Sequence, residues 1–278
     1  MTGLFFILTF QFGMKNLKLL ISFLFLVSTL AATGQVTSDS LLAKDNVMFS
    51  LPTISVNFGF NHFMGDVPLN KTGPSPFSQI GYGLTITQSV TNYLDASLFL
   101  YAGNVKGENT LEGTNLNFRT TLFSQQLSIE YNFYPLLKPD DKGRQLIRPY
   151  MGFGVGLLSF RSKGDLKNES GVTYQYWSDG SVRAEIEGEV DPSESTILER
   201  DFEYETDLRD ANLDGLRKYS QLAFSLPLNA GIRFQITKNF GLNAGFSYVL
   251  NFTDFIDNVS DAGVGTRKGS KGFDNHLF

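Results

Sequence analysis

From about Leu51 to Phe252 the chain alternates apolar and polar residues with a period of two. Seven segments carry the pattern, at about Leu51–Phe60, Gln79–Thr87, Tyr93–Ala102, Thr121–Tyr134, Arg148–Phe160, Gln221–Ile236 and Phe240–Phe252. In the sixth, Leu222, Phe224, Leu226, Leu228, Ile232 and Phe234 share one parity, and Gln221, Ser225, Asn229, Arg233 and Gln235 share the other. Successive side chains of a strand point to opposite faces. Each segment therefore predicts a strand with a hydrocarbon stripe on one face and small or polar groups on the other. A soluble sandwich would turn the stripe to a core, whereas a membrane barrel turns it to lipid and keeps the polar face inside.

The connections favour the barrel. Gln88–Asn92, Pro135–Ile147 and Thr237–Asn239 are the tighter ones, and they alternate with longer stretches at about 61–78, 103–120, 161–220 and 253–272. Outer-membrane barrels have short periplasmic turns and long extracellular loops, while a sandwich has no reason to sort its loops by parity. The fold expected is all-β: an antiparallel up-and-down transmembrane β-barrel of eight strands. The eighth would begin near Gly272–Phe278, short or truncated, because a membrane strand takes about 9–11 residues.

The N-terminus gives an address. Met14-Lys15-Asn16-Leu17-Lys18 is basic, Leu19 to Ala32 is apolar, and Ala32-Thr33-Gly34 places small residues before Gln35. This is the layout of a secretory signal peptide, and the run is too short for a spanning helix of about 20 residues. Residues 1–34 are thus assigned to the signal, with Met14 as the expected start, and residues 35–278 to an outer-membrane barrel.

Composition narrows the classes. Aromatic residues make up 14%, with 26 Phe and 11 Tyr, while charged residues make up 18%, below the usual quarter. Mean hydropathy is −0.08, as expected where lumen-facing residues dilute the lipid-facing ones. A net charge of −5 argues against a nucleic-acid partner. The absence of Cys excludes disulfides and thiolate metal sites. No sequence motif implies a cofactor.

Three segments carry a family resemblance. They are Met64-Gly65-Asp66, then Asp210-Ala211-Asn212-Leu213-Asp214-Gly215 with Tyr219-Ser220, and Thr253-Asp254-Phe255-Ile256-Asp257-Asn258. With the strand layout, they resemble the outer-membrane barrel proteins of Bacteroidetes and the small eight-stranded OmpA- and OmpX-like barrels. The resemblance implies outer-membrane residence more firmly than any activity. In such proteins the strand after Asp274 would continue, and a periplasmic domain often follows.

Four charged residues fall on polar faces near the periplasmic strand ends: Asp95, Glu130, Arg148 and Arg233. An eight-stranded barrel has an interior just wide enough for side chains, and unpaired charge there is costly. The expectation is an ion-pair network that plugs the lumen. Separately, Asp210, Asn212 and Asp214 before Gly215 match the first half of a calcium loop. The twelfth position is Gln221 rather than a bidentate Glu, so a turn rich in Asp and Asn competes with that reading. The loop at 161–220 is acidic, from Glu185 to Asp207. It suits a solvated surface or contact with an extracellular protein or polysaccharide. Within it, Val182–Gly188 alternates and is expected to extend the strands as a hairpin. Gly152, Gly154 and Gly156 are expected to leave lumen room for Phe99 or Tyr101.

Catalysis has little support. His62 and His276 are the only histidines, and no Ser–His–acid arrangement can be inferred. The function expected is structural, anchoring or surface-interacting, with lipid as the surroundings and no enzymatic activity. The alternatives are passive passage of a small or hydrophobic solute and, less favoured, lipid modification at the rim through His62.

Overall fold

A computed structural model describes residues 52–67, 79–91, 93–109, 116–133, 147–213, 215, 218–236, 240–264, 267–269 and 276–277. The signal-peptide segment, Asp214 and the Pro135–Ile147 and Thr237–Asn239 connections lie wholly or largely outside them.

All seven alternating segments are strands: β1 (Thr53–Phe60), β3 (Ile80–Ser89), β4 (Leu94–Asn109), β5 (Leu116–Asn132), β6 (Ile147–Gly164), β10 (Leu222–Gln235) and β11 (Gly241–Asn251). Five shorter ones complete the set: β2 (Phe63–Met64), β7 (Gln175–Tyr176), β8 (Val182–Arg183), β9 (Thr206–Asp207) and β12 (His276–Leu277). The single described helix, α1, is Leu208–Ala211. The main sheet runs β1-β3-β4-β5-β6-β10-β11-β12-β2, antiparallel throughout. Because β2 follows β1 after Asn61 and His62, the path returns to its first strand. It does so only at one level, where His276 and Leu277 bridge Leu250 and Val249 to Met64 and Phe63. Below that level, Gly241–Tyr248 and Thr53–Phe60 have no strand between them among the described residues. The result is a strongly curled, barrel-like sheet.

The curl is visible in contacts across the concave face. Asp95 on β4 and Arg233 on β10 lie three strands apart, a separation of about 14 Å in a flat sheet, yet their side chains meet at 2.8 Å. Asn229 on β10 reaches Ser128 on β5 over β6 at 3.1 Å. Tight connections gather at one end, hereafter the lower end, where Val90 and Thr91 turn back onto Leu94. The longer ones gather at the upper end.

Alternation maps onto burial as expected. On β5, Ser124, Gln126, Ser128, Glu130 and Asn132 are buried on the concave side, while Leu127, Ile129 and Tyr131 are exposed. On β6, Met151, Phe153, Val155 and Leu157 are exposed on the convex side. Leu228, Ile232 and Phe234 on β10, and Phe246 on β11, continue the same belt. Aromatic groups mark its margins. Tyr93, Tyr131 and Phe133 cluster at the lower edge, and Phe224 sits against Phe252 at the upper edge.

Three expectations need correction. First, the concave face is polar only in its lower part. Strands β4, β5 and β6 run further than their alternation indicated, and their upper ends enclose an apolar core. Val105, Phe118, Leu122, Leu158, Phe160, Ile256 and Val259 are buried there. Above the belt the strands support a folded layer, so apolar side chains find their shelter inside. Second, Val182–Gly188 does not lengthen the main strands: Val182 and Arg183 pair with Tyr176 and Gln175 in a small separate sheet. The main sheet is extended instead by β9, on Lys163 and Gly164. Third, Gly152, Gly154 and Gly156 do not face Phe99 or Tyr101. A Cβ at these positions would strike the neighbouring backbone and the Glu130, Ser128 and Ser225 side chains. The Tyr101 ring lies over Gly81 and Gly103, the Phe99 ring over Gly83, and Tyr150 over Gly231 and Gly245. Each bulky inward ring is matched to glycines, on neighbouring strands and, for Tyr101 and Gly103, on its own strand, which keeps a narrow interior filled without overlap.

Candidate functional site

At the lower end the register sets Asp95 opposite Glu130 and Arg148 opposite Arg233. Two like-charged pairs thus face one another across the concave surface. Arg233 resolves the conflict by reaching both acids. Its Nη1 donates to Asp95 Oδ2 and to Asn132 Oδ1, each at 2.8 Å, and its Nη2 donates to Glu130 Oε2. Asn132 Nδ2 donates to Asp95 Oδ2 at 2.8 Å, which closes a ring of hydrogen bonds. The guanidinium also lies over the Tyr150 ring, 4.2 Å from its centroid, and Asn243 donates to the Tyr150 hydroxyl at 3.1 Å. Arg148 takes a different partner and donates to Gln235 Oε1.

Three of the four charged residues are therefore brought together, and the fourth binds an amide at the rim of the cluster. Asn132, Tyr150, Gln235 and Asn243 complete the site and were not singled out by sequence. Their signal was weak: each shares the polar parity of its strand, as do many residues without such a role. Within the cluster Arg233 is bonded to both acids and to Asn132, while Asn243 Oδ1 has no hydrogen-bond partner.

A second polar centre lies at the upper end, and nothing in the sequence pointed to it. Arg200 donates to Asp165 Oδ2 from Nε at 2.9 Å and from Nη2 at 2.6 Å, and its Nη1 donates to Glu108. The Asp165 side chain is fully buried. Burial pushes its carboxyl above the ordinary value, against the pull of the Arg200 donors. The pair ties the 165–207 lobe to the end of β4. Above it, Arg183 donates to Ser181 Oγ, Pro192 O, Ser195 Oγ and Asp179 Oδ2 and lies over the Trp177 ring. Trp177 Nε1 donates to the Glu185 carbonyl at 2.8 Å. The acidic loop is thus a folded lobe held by the Arg183 and Arg200 hydrogen bonds, although Asp165 Oδ1 and the Tyr176 hydroxyl have no hydrogen-bond partner. Its outer face carries exposed Glu189, Glu194, Glu199 and Glu203 beside exposed Ile186, Ile197 and Phe202. Phe202 adopts a φ of 57°, costly for a bulky side chain, and its ring is held against the Arg200 guanidinium.

The three segments that carry the family resemblance meet at this same end. The amide of Val67 donates to Asp257 Oδ2 at 3.2 Å. Tyr219 stacks on Phe255, with centroids 4.4 Å apart and planes 4° from parallel. Thr120 and Ser162 both donate to the Ile256 carbonyl, which draws the segment after β11 into the mouth of the sheet. Ile256, Asp257, Asn258, Val259 and Ser260 are all buried. This inward turn packs Ile256 and Val259 into the apolar core at the upper end.

The calcium candidates are used otherwise. Asp210 Oδ1 accepts from Lys218 Nζ at 2.8 Å, and that contact holds its carboxyl below the ordinary range. Asn212 caps α1 in the left-handed region, with its amide on the Leu208 carbonyl. Asp214 lies outside the described residues. Among the described residues no group of three or more His, Cys, Asp or Glu side chains converges in a metal-binding arrangement. His62 lies half-buried between β1 and β2.

No protein-family profile, no curated protein and no solved structure matches the chain.

Proposed function

We propose that this chain is an integral outer-membrane β-barrel protein with a structural, anchoring or surface-interaction role and a lumen plugged at both ends. One observation carries the reading: the convex face carries a belt of large apolar side chains, exposed on β3, β5, β6, β10 and β11 and half-buried on β4, around a polar lower interior. On β6 the belt runs from Ile147 to Leu157 and then gives way to Ser159, Arg161 and Lys163. Ten steps of about 3.4 Å span about 34 Å of strand, or about 26 Å of height at a tilt of about 40°. A lipid-facing band of a bacterial barrel is about 25 Å tall. Soluble proteins rarely expose contiguous apolar patches beyond a few hundred Å². The aromatic margins also fit the girdles of such barrels.

Two features favour a plugged wall over a pore. The Arg233 cluster fills the lower interior, and the 253–260 turn with the apolar core fills the upper. The ordered lobe above them, with its exposed acids and Phe202, is the part suited to contact a cell-surface partner or polysaccharide. The test is partition. The processed chain, expressed with its own leader in a Gram-negative host, should fractionate with the outer membrane and require detergent for release. Release by high salt or alkaline carbonate as a water-soluble monomer would overturn the proposal.

A further inference from the structure

Above the belt the convex face carries a row of cations on three adjacent strands. Lys106 on β4 stands opposite Arg119 on β5, and Arg119 stands opposite Lys163 on β6. Residues so paired hold their Cβ atoms about 4.5–5.5 Å apart, and like charges in that relation are destabilising. Arg119 is exposed, and Lys106 and Lys163 are half-buried, so solvent and solutes reach all three. Arg161, one step lower on the same face of β6, is exposed as well.

The protein does not neutralise this row. Among the described residues the side chains of Lys106, Arg119 and Lys163 make no hydrogen bond and no ion pair, and Lys106 meets only the Tyr204 ring, 5.4 Å from its centroid. The acids beside the row are engaged elsewhere. Asp207, paired with Lys163 through the backbone, caps α1 with Oδ1 and accepts from Arg161 Nε at 2.9 Å with Oδ2. Glu108 Oε1 accepts from Arg200, and Glu205 Oε1 accepts from the Leu166 amide.

Height adds to the charge argument. Phe123 is exposed at the top of the belt on β5, four residues below Arg119. Four steps of about 3.4 Å cover about 14 Å of strand, or about 10 Å of height at a tilt of about 40°. The head-group layer adds about 5–8 Å on each side of the hydrocarbon, and the long stems of Arg and Lys reach toward it. On β6 the same order holds, from Leu157 through Ser159 and Arg161 to Lys163. The row thus stands at head-group level, beneath the lobe. A guanidinium offers a planar fork to phosphate oxygens, and flanking ammonium groups act as point charges.

We propose that Lys106, Arg119 and Lys163 bind the phosphate of a membrane-lipid head group, with the acyl chains lying along Phe123 and Leu157. The site rests on the reading that the belt meets lipid. Continuity of the row with that belt favours a lipid over free phosphate.

The experiment uses the full processed chain in dodecyl maltoside micelles, which carry neither charge nor phosphate. Dimyristoylphosphatidic acid, dimyristoylglycerol and inorganic phosphate are titrated separately, and the backbone amide signals of Lys106, Arg119 and Lys163 are followed. Saturable shifts with phosphatidic acid, and none with the other two at the same concentrations, support the proposal. Arg119→Gln and Lys163→Gln should each raise the half-saturating concentration about fivefold, the worth of one basic residue beside an anionic head-group layer. Both variants should keep the parent's unfolding midpoint in lipid-free micelles, since neither side chain has a hydrogen bond or ion pair to lose. Absence of saturable shifts with phosphatidic acid overturns the proposal. So do equal shifts with dimyristoylglycerol or inorganic phosphate, or a half-saturation unchanged in both variants. A chain that stays monomeric in water without detergent fails at the earlier step and removes the membrane reading itself.

Discussion

Replacing Arg233 with alanine removes the one cation that reaches both Asp95 and Glu130. Each acidic side chain is only 8% exposed, and the arginine side chain is 21% exposed. Three hydrogen bonds to a charged donor disappear, each worth about 1.5–3 kcal/mol. Their sum is a ceiling, because water re-enters at the partly exposed guanidinium site and one carboxylate can escape by taking a proton. Breaking a buried ion pair by deleting one partner costs about 3–5 kcal/mol, and that is the loss expected here. Urea unfolding in detergent micelles, followed by the far-UV signal of the sheet, should show the midpoint fall by about 1 M or more, given slopes of about 1–3 kcal/mol per M. A compensated variant separates charge from shape. Adding Asp95→Asn and Glu130→Gln to Arg233→Met should recover about half of the loss or more, since no uncompensated charge remains. An Arg233→Ala midpoint within about 0.5 kcal/mol of the parent, the scatter of ordinary surface changes, would refute the argument. It would mean that the cluster is solvated and holds nothing shut.

The same variant tests closure. In planar bilayers the parent should carry no measurable current, and appearance of conductance in a folded Arg233→Ala protein would assign the cluster to a gate. Arg200→Ala should strip the anchor from Asp165 and Glu108, at a cost of about 3 kcal/mol to the lobe. Limited proteolysis should then cut within 165–207 while the sheet resists, and resistance equal to the parent would reject the anchor. Gly103→Val should destabilise by about 1–3 kcal/mol through overlap with the Tyr101 ring. Adding Tyr101→Ala should recover stability, and a failure to recover would show that the ring is not the obstacle. Asp210 and Asp165 have opposite pH signatures. Asp210, held low by Lys218, contributes stability above the usual Asp value of about 3.9. That contribution is lost as pH falls through its depressed folded value. Asp165, held high by burial, gives the reverse: protonation relatively favours the folded form as pH falls through its raised value. Carboxyl-carbon NMR titration should place Asp165 above and Asp210 below the unfolded reference, and the opposite order would refute both assignments.

The alternation by itself determined the strands and which residues of each strand share a face. Period-two patterning is a local property of extended backbone, so residues such as Leu127, Ser128, Ile129 and Glu130 declare their faces without reference to the rest of the chain. Loop parity likewise placed the tight turns at one end. Charges at the lower ends of their strands were legible too, because Asp95, Glu130, Arg148 and Arg233 interrupt otherwise neutral polar faces.

Partnership was not legible. Asp95 and Arg233 lie 138 residues apart and meet only because the sheet curls, so curvature decided that Arg233 serves the acids while Arg148 turns to Gln235. The apolar upper core has the same parity as the polar lower interior, and only the height of each residue relative to the belt separates Leu122 from Gln126. Height depends on strand length and tilt, which alternation does not encode. The Arg200 anchor, the inward turn at Ile256 and the match of Tyr101 to Gly81 each join segments with no common local pattern. They are set by which strands become neighbours and by how narrow the enclosed space is.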